Sequence, residues 1–339
     1  MASDKGIDRL LEKVRRLRQS GETWEGSSRL GRTWITPHNQ PPFRPYLILV
    51  ANMTGAILRS QVMEQAPTPD QLFEQLLNAM LHPALGSGRA RRPKVINLDD
   101  PDYVSALTPR LADLEVRCQH RTSLPSLQNA LASLERSMNR GEPIPGLLTI
   151  PSVTPPLVGH LFELAADFYR ATPWRWLDDN DSMEIRYPLD GSPRYAVVMG
   201  SGGEVFGLAV YDTLEDLQLV FEPQLSSRQL MRRSTWLVLF FEEAVAMSFD
   251  DLDAMAKYGW SMPGERAYPV FGRTTKTGEL GLPTKADLFW MEAALAGILT
   301  YLPEHKQNFL RPVEKTLTVT TISGKTQLHL KLPAFEREW

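Results

Sequence analysis

The sequence predicts two folded domains, an N-terminal α/β domain with a mixed sheet and helices, and a C-terminal α+β domain built on an antiparallel sheet. In the first half, short apolar runs alternate with helix-like periodicity after an initial hairpin, which is typical of a mixed sheet whose later strands are parallel. In the second half, strand-like runs are joined by glycine-rich turns, which is typical of hairpins. Five prolines within residues 141–156 divide the two halves.

The proline-rich segment sets the expected domain boundaries. Proline lacks an N–H group and restricts its own φ angle, so residues 141–156 suit neither a helix nor a central strand. We therefore expect an N-terminal helix and connector at residues 1–32, an α/β domain at residues 33–142, a proline-rich linker at residues 143–156 and an α+β domain at residues 157–339.

The N-terminal half begins with a helix, because apolar residues recur at three- and four-residue steps over residues 7–19. Residues 21–31 are polar and contain glycine and serine, and we expect a connector there. The run Pro67-Thr68-Pro69-Asp70 begins a second helix. The elements expected in the α/β domain are strands at residues 46–50, 56–64, 94–98 and 115–120, and helices at residues 67–81, 103–114 and 123–138.

The C-terminal half begins with an amphipathic helix and then alternates between strands and helices. Its clearest hairpin signal is Ser323-Gly324 between two alternating runs. The glycines of residues 200–203 join two further strands. The expected helices are at residues 157–170, 213–221, 248–258 and 284–302, and the expected strands at residues 183–187, 194–199, 205–211, 235–242, 268–272, 316–322 and 326–332.

The composition excludes several classes of protein. The 339 residues include one cysteine, so we expect neither a disulfide framework nor a cysteine-based zinc site. The longest apolar candidate, residues 236–241, is far shorter than the ~18 residues that a membrane span needs. The N-terminus has neither the apolar core of a signal peptide nor a lipidation signal. We expect a cytoplasmic protein with no membrane partner.

The near-neutral net charge of -3 conceals an imbalance along the chain. Residues 1–154 carry a formal charge of +4 and residues 155–310 a formal charge of -9. An acidic second domain repels a nucleic-acid backbone, whereas the first domain tolerates one weakly. The strongest basic candidates for binding lie in one glycine-containing loop, and they are Arg89, Arg91, Arg92 and Lys94. The alternative interpretation is a solvated loop between two elements.

Tests for catalytic or cofactor chemistry yield few candidates. The six histidines form no metal-binding pattern, and no phosphate-binding glycine motif is present, so we expect neither a metal nor a cofactor. Ser201 resembles a nucleophile elbow only superficially, because it sits in a hairpin turn. Cys118 falls inside a predicted strand, where a thiol is usually a buried, inert group.

Two groups of residues stand out as candidate sites. Asp99 and its neighbour Asp100 follow a buried strand, and the carboxyl ends of strands are where ligands meet open α/β sheets. A second group combines aromatic and acidic residues in one loop and could form a recognition surface, or else a solvated turn. Its members are Trp174, Trp176, Asp178, Asp179 and Asp181.

The first half also resembles a known fold. A strand that runs into Thr54-Gly55 is followed by a second strand, a long helix, a buried strand ending in Asp99, a helix and another strand. This order resembles the RNase H-like fold of integrase and transposase cores, over roughly residues 45–140. The resemblance implies an aspartate near Ala51 or Asn52 on the first strand and a second carboxylate at Asp99 or Asp100. The first aspartate is missing, which implies a degenerate relative at most.

The second half resembles an uncharacterised domain family of bacterial proteins. The resemblance spans most of residues 155–335 and rests on aromatic and glycine positions. These include Phe168-Tyr169, Pro173-Trp174, Trp176-Leu177, Val198-Met199-Gly200, Gly203-Glu204, Phe206-Gly207-Leu208 and Val210-Tyr211. The family implies no activity for this chain.

These observations favour a non-catalytic interaction protein over an enzyme. The expected partner is a protein or a second copy of the chain, with nucleic acid bound weakly if at all. The alternative is a metal-dependent nuclease or phosphoester hydrolase with Asp99 and Asp100 as metal ligands. The two hypotheses differ in whether Asn52, Asp99 and a third acid converge in one pocket.

Overall fold

The computed structural model describes residues 4–138, 144–178, 181–222, 224–274, 279–307 and 312–335. The chain divides into two compact units, Met1–Pro143 and Ile144–Trp339. Unit 1 is mixed α/β, and unit 2 is built on an antiparallel sheet. Within the described ranges, no helix is both long enough and apolar enough to cross a bilayer.

Unit 1 has a five-stranded mixed sheet with helices. Its elements are α1 (Asp4–Arg15), β1 (Thr23–Leu30), β2 (Tyr46–Asn52), β3 (Ile57–Met63), α2 (Pro69–Leu81), β4 (Val95–Leu98), α3 (Pro101–Ala112), β5 (Arg117–His120) and α4 (Pro125–Met138). The strand order is β3-β2-β1-β4-β5. The first three strands form an antiparallel meander, and β4 and β5 run parallel to β1. The predicted order of later parallel strands is therefore confirmed.

The central strand of this sheet lies where the sequence predicted a connector. Residues 21–31 contain β1, which pairs with β2 on one side and β4 on the other. Its sequence, TWEGSSRL, has too few apolar residues to read as a buried strand. Packing explains why one residue of this strand, Gly26, has no side chain. A Cβ added there would lie 3.1 Å from Leu98 Cδ2 and 3.4 Å from Leu76 Cδ2. A small residue is what the packing at this position admits.

Both faces of the unit 1 sheet are covered. The larger core lies between the sheet and α1, α2 and α3, around the fully buried side chains of Trp24, Phe73 and Leu76. On the opposite face, α4 packs Leu127 and Leu131 onto β2. As predicted from Thr68 and Pro69, α2 begins with a capping box between Thr68 and Gln71.

Unit 2 has an eight-stranded antiparallel sheet in the order β11-β10-β9-β8-β7-β6-β13-β12. Its helices are α5 (Pro155–Ala171), α6 (Leu214–Gln218), α7 (Ser227–Arg233), α8 (Phe249–Tyr258) and α9 (Lys285–Gln307). Its strands are β6 (Met183–Arg186), β7 (Pro193–Met199), β8 (Gly207–Tyr211), β9 (Trp236–Glu242), β10 (Tyr268–Thr274), β11 (Leu280–Gly281), β12 (Val313–Thr321) and β13 (Gly324–Leu332). The main core lies between the sheet and α5 and α9.

Two proline signals turn out differently from their sequence prediction. The predicted helix end before Pro303 is wrong, because α9 continues to Gln307. Tyr301 and His305 on either side of that proline are 1% and 3% exposed, and their packing offsets the missing hydrogen bond. In the predicted linker, Leu147 and Ile150 are buried in the core of unit 2, and α5 begins at Pro155. The described part of that segment is therefore folded onto unit 2.

Candidate functional site

Asp99 lies directly after β4, on the face of the sheet that α4 covers, beside two residues of β1. Its Oδ2 accepts hydrogen bonds from Ser27 Oγ at 2.9 Å and from Arg29 Nη2 at 2.8 Å. Arg29 Nε lies 3.3 Å from the same oxygen. The Arg29 guanidinium therefore forms an ion pair with the carboxylate that the alternative hypothesis assigns as a metal ligand.

A second carboxylate, which sequence reasoning missed, lies on the same face of β1. Glu25 is 1% exposed, and its Oε2 accepts a hydrogen bond from the backbone N–H of Leu127 at 2.8 Å. Leu127 is the third residue of α4, so Glu25 satisfies one of the N–H groups that every helix start leaves without a partner. The carboxylate also meets the positive end of the helix dipole. Glu25 thus holds α4 on the sheet.

Asn52, the predicted counterpart of the missing aspartate, has a different role. Its Oδ1 accepts hydrogen bonds from Thr54 N at 3.1 Å, Ala56 N at 3.0 Å and Thr54 Oγ1 at 2.7 Å. It therefore shapes the β2–β3 turn. In the sheet Asn52 pairs with Trp24, whereas Asp99 contacts Ser27, three residues further along β1. The structure does not bring Asn52 and Asp99 together.

Asp100 also has a local structural role. It is the N-cap of α3, and its Oδ1 accepts a hydrogen bond from Asp102 N at 2.8 Å. Capping by aspartate is a common way to satisfy a helix start. Among the residues that the structure describes, no three His, Cys, Asp or Glu side chains come close enough together to hold a metal ion.

The predicted basic loop divides into two inward and two outward residues. Arg91 donates to Glu22 Oε1 at 2.8 Å, and Arg92 donates to the carbonyl of Leu114 at 2.6 Å. The hydrogen bond from Arg91 lowers the pKa of Glu22. Arg89 and Lys94 are exposed. Half of the predicted basic cluster therefore serves the fold of unit 1.

The aromatic and acidic loop of unit 2 divides in a similar way. Trp174 packs against Tyr169 and Phe206, with ring centroids 5.4 and 4.8 Å apart. Trp176 remains 37% exposed, with the Lys306 ammonium 5.4 Å from its ring centroid.

The acidic part of the same loop makes backbone contacts. Asp178 N donates to Asp181 Oδ2 at 2.9 Å, and Asp181 N donates to the carbonyl of Asp178 at 3.0 Å. Asp179 lies outside the described residues.

A buried histidine holds the backbone of Trp176 in place. His305 Nε2 donates to the carbonyl of Trp176 at 3.0 Å, while His305 Nδ1 lies 3.1 Å from the Tyr301 hydroxyl. The exposed Trp176 ring therefore belongs to a residue whose backbone is hydrogen-bonded to α9.

Unit 2 also contains a charge network that the sequence did not reveal. Asp287, in the first turn of α9, lies 3.0 Å from Arg273 Nη1 and 3.2 Å from Arg194 Nη1, and the same arginines pair with Asp212. Burial alone would raise the pKa of Asp287, but hydrogen bonds from Thr284 and the two guanidinium groups outweigh it and lower that pKa. The network joins β7, β10 and the end of β8 to α9.

A second buried acid of unit 2 joins α9 to two other elements. Glu292 of α9 is 0% exposed, and its Oε1 lies 2.5 Å from His160 Nδ1 of α5 and 2.6 Å from the backbone N of Ile322. No sequence motif could have predicted these contacts, because Ile322 and His160 lie 30 and 132 positions from Glu292.

The fold and these contacts define a two-unit protein with mixed α/β and antiparallel α+β parts. Residues 10–135 match a family model described as a domain of unknown function, DUF6930, and residues 159–319 match another, DUF7309. Each match falls within one unit, and the first includes β1. The expectation of uncharacterised domains is therefore confirmed.

Comparisons with individual proteins add little. A search of curated protein sequences finds no match. One similar solved chain comes from the cryo-EM structure of the simian T-cell lymphotropic virus intasome in complex with PP2A regulatory subunit B56 gamma. It is 14% identical, and the match covers 58% of this chain and 74% of that chain with a TM-score of 0.22. At that TM-score the match establishes neither a shared fold nor a shared function.

Proposed function

We propose that this chain is a non-catalytic interaction protein whose unit 1 is a degenerate relative of RNase H-like domains. Its element order, an antiparallel meander followed by two parallel strands with intervening helices, supports the proposed relationship. We propose that the chain is not catalytic because the two carboxylates beside the middle of the sheet already have structural partners. Glu25 caps α4, and Asp99 pairs with Arg29.

Two-metal phosphoryl chemistry needs carboxylates that are available to the ions. Recruiting Glu25 would leave the N–H of Leu127 without a partner in a buried place, which costs about 1–3 kcal/mol. Recruiting Asp99 would separate it from a guanidinium that already satisfies it. Both carboxylates therefore already make contacts that stabilise unit 1, and metal binding would disrupt those contacts.

For the interaction itself, we propose a protein partner that contacts the exposed face of Trp176. Tryptophan is enriched among the residues that dominate binding energy at protein interfaces. The anchored backbone of Trp176 lowers the entropy cost of presenting the ring. Nucleic-acid binding has weaker support, because Arg91 and Arg92 are occupied within unit 1.

A cleavage assay separates this proposal from a metal-dependent nuclease. Purified full-length protein is incubated with single- and double-stranded DNA and RNA in Mg²⁺ or Mn²⁺, beside Asp99→Ala and Asp113→Ala variants. We expect no cleavage above background from any of the three. Metal-dependent cleavage that Asp99→Ala abolishes and Asp113→Ala preserves would replace the proposal with the nuclease.

Native mass spectrometry and capture from lysate test the interaction. We expect a stoichiometric complex with a specific protein or a second copy, weakened at least tenfold by Trp176→Ala. Leu189→Ala, which removes another exposed apolar side chain of unit 2, is the matched control and should leave the complex unchanged. Detection of free monomer alone would contradict the proposal.

A further inference from the structure

A cavity of about 310 Å³ lies in unit 2 where the 3-10 turn at Leu147–Thr149, the start of α8, and β10 and β11 meet. Most of its wall is apolar. The main contributors are Ile144, Leu147, Met247, Val270, Phe271 and Leu282. Ile144 and Leu280 are 63% and 42% exposed, so the cavity opens to solvent through an apolar rim.

Two polar side chains line this cavity among the described residues, Ser248 and Asp251. Asp251 is 8% exposed. Its Oδ1 accepts from Leu147 N at 2.8 Å, and its Oδ2 accepts from Ser248 Oγ at 2.9 Å. Of the lining residues that fall within the described ranges, Asp251 carries the one formal charge, so this part of the wall presents a carboxylate.

The position of this carboxylate is held closely. Gly146 approaches the first turn of α8 so tightly that an added Cβ would lie 2.7 Å from Asp250 Cβ and 2.9 Å from Asp251 Oδ1. The Leu147 N–H is therefore aimed at the carboxylate by a backbone contact that only glycine permits. Burial is the main reason that the pKa of Asp251 rises to about 6, and at pH 8 the group is still ionised.

The size of the cavity sets the size of its occupant. A dry cavity of about 150 Å³ accommodates benzene, and typical ligand pockets begin at about 300 Å³. The cavity therefore has room for a ring or short alkyl chain with a small polar end. An ionised carboxylate in an apolar wall favours a ligand whose polar end is a cation, because a charge-assisted hydrogen bond offsets the loss of hydration.

We propose that this cavity binds a small organic ammonium ion, with its apolar body against Val270, Phe271 and Leu282 and its ammonium group at the Asp251 carboxylate. The site is separate from the Trp176 surface and does not depend on the proposed function. Shape and charge together define the ligand class, because the Asp251 carboxylate repels an anion and the apolar side chains of the wall favour an apolar body.

The test is a titration of the full-length protein at pH 8 with phenethylamine, followed by calorimetry or by NMR. Phenethyl alcohol serves as the neutral analogue and phenylpropionate as the anionic one. We expect the amine to bind at least tenfold more tightly than the alcohol, and the anion not to bind. Equal binding of amine and alcohol, or no binding of the amine, would overturn the proposal.

Variants separate the carboxylate from the cavity. Asp251→Asn should abolish the preference for the amine, while Asp253→Asn makes the same charge change on α8 at a residue that does not line the cavity and should preserve it. Ala246→Leu narrows the cavity, leaves the Asp251 carboxylate unchanged in chemistry, and should weaken binding of both the amine and the alcohol. If Asp251→Asn fails to fold, Ala246→Leu still decides, since binding that survives it places the ligand elsewhere and refutes the site.

Discussion

Two buried carboxylates, one in each unit, accept a hydrogen bond from a distant backbone N–H group. Glu25 in unit 1 accepts a hydrogen bond from the backbone N–H of Leu127 at the start of α4. Asp251 in unit 2 lies in the first turn of α8 and accepts from Leu147 N and Ser248 Oγ, and burial still raises its pKa to about 6. Each bond joins residues more than 100 positions apart, so both carboxylates connect segments that are distant in the sequence.

Glu25→Ala should destabilise unit 1 by about 1–2 kcal/mol, because Leu127 N–H loses its acceptor and α4 its cap. Glu25→Gln keeps an accepting oxygen and should cost less. Urea denaturation of the two variants and the wild type measures the difference. If both variants cost the same, the hydrogen bond to Leu127 is not the reason for the loss.

Asp251 predicts a pH dependence for unit 2. Its folded-state pKa of about 6 exceeds the ~3.9 of an unfolded aspartate, so its stabilising effect is complete below pH 4 and is lost as the pH rises to 6. Relative to Asp251→Asn, the wild type should lose roughly 3 kcal/mol at most between pH 4 and pH 7. Melting curves over this range give the comparison, and parallel curves for the two proteins would disprove the raised pKa.

At the scale of elements, long-range polar contacts hold helices on both sheets. Glu25 attaches α4 to β1, and the Asp287 network attaches the start of α9 to β7 and β10. Glu292 links α9 to α5 and to the β12–β13 turn. These contacts set the position of each helix, which apolar packing alone specifies less sharply.

Asp287→Ala should destabilise unit 2 strongly, because it leaves Arg194 and Arg273 partly buried without one of their carboxylates. We expect a loss near the lower end of the ~3–5 kcal/mol seen for broken buried ion pairs, since both arginines retain some exposure. Because the pKa of Asp287 is lowered, its contribution is present above about pH 4 and is lost as the pH falls below that value. Thermal melts at pH 7 and pH 3 of the wild type and variant test both statements, and a deficit that persists unchanged at pH 3 would contradict them.

At the scale of the whole molecule, each unit has its own buried core. Unit 1 depends on a strand from the first 32 residues, because β1 lies between β2 and β4. A domain that began at residue 33 would lose the middle of its sheet and expose Ile48 and Ile96 along unpaired strand edges.

Expression of residues 1–143 should therefore give a folded protein with a cooperative unfolding transition, whereas residues 33–143 should be insoluble or unfolded. Circular dichroism during thermal unfolding distinguishes the two. Residues 7–143, which shorten α1 and keep β1, are the matched control. A cooperative transition for residues 33–143 would show that β1 is dispensable.

Much of the fold was predictable where local signals are strong. Thr68 and Pro69 marked the start of α2, and Ser323-Gly324 marked the β12–β13 turn. Asp99 was found from its position after a buried strand. Its partners Ser27 and Arg29 were not, because they lie 72 and 70 positions away on a strand with no apolar periodicity.

The sequence by itself determined two mixed α/β and α+β parts, most of their helices and strands, and a short set of candidate residues, because propensity, capping and hydrophobic periodicity act over a few neighbouring positions. Only the tertiary structure decided that β1, with the sequence TWEGSSRL, is the central strand of a sheet. It also decided that Asp99 forms an ion pair with Arg29 and that Asp251 lines a mainly apolar cavity. These facts depend on which distant side chains meet, and burial and partner charge are properties of that meeting rather than of any single residue.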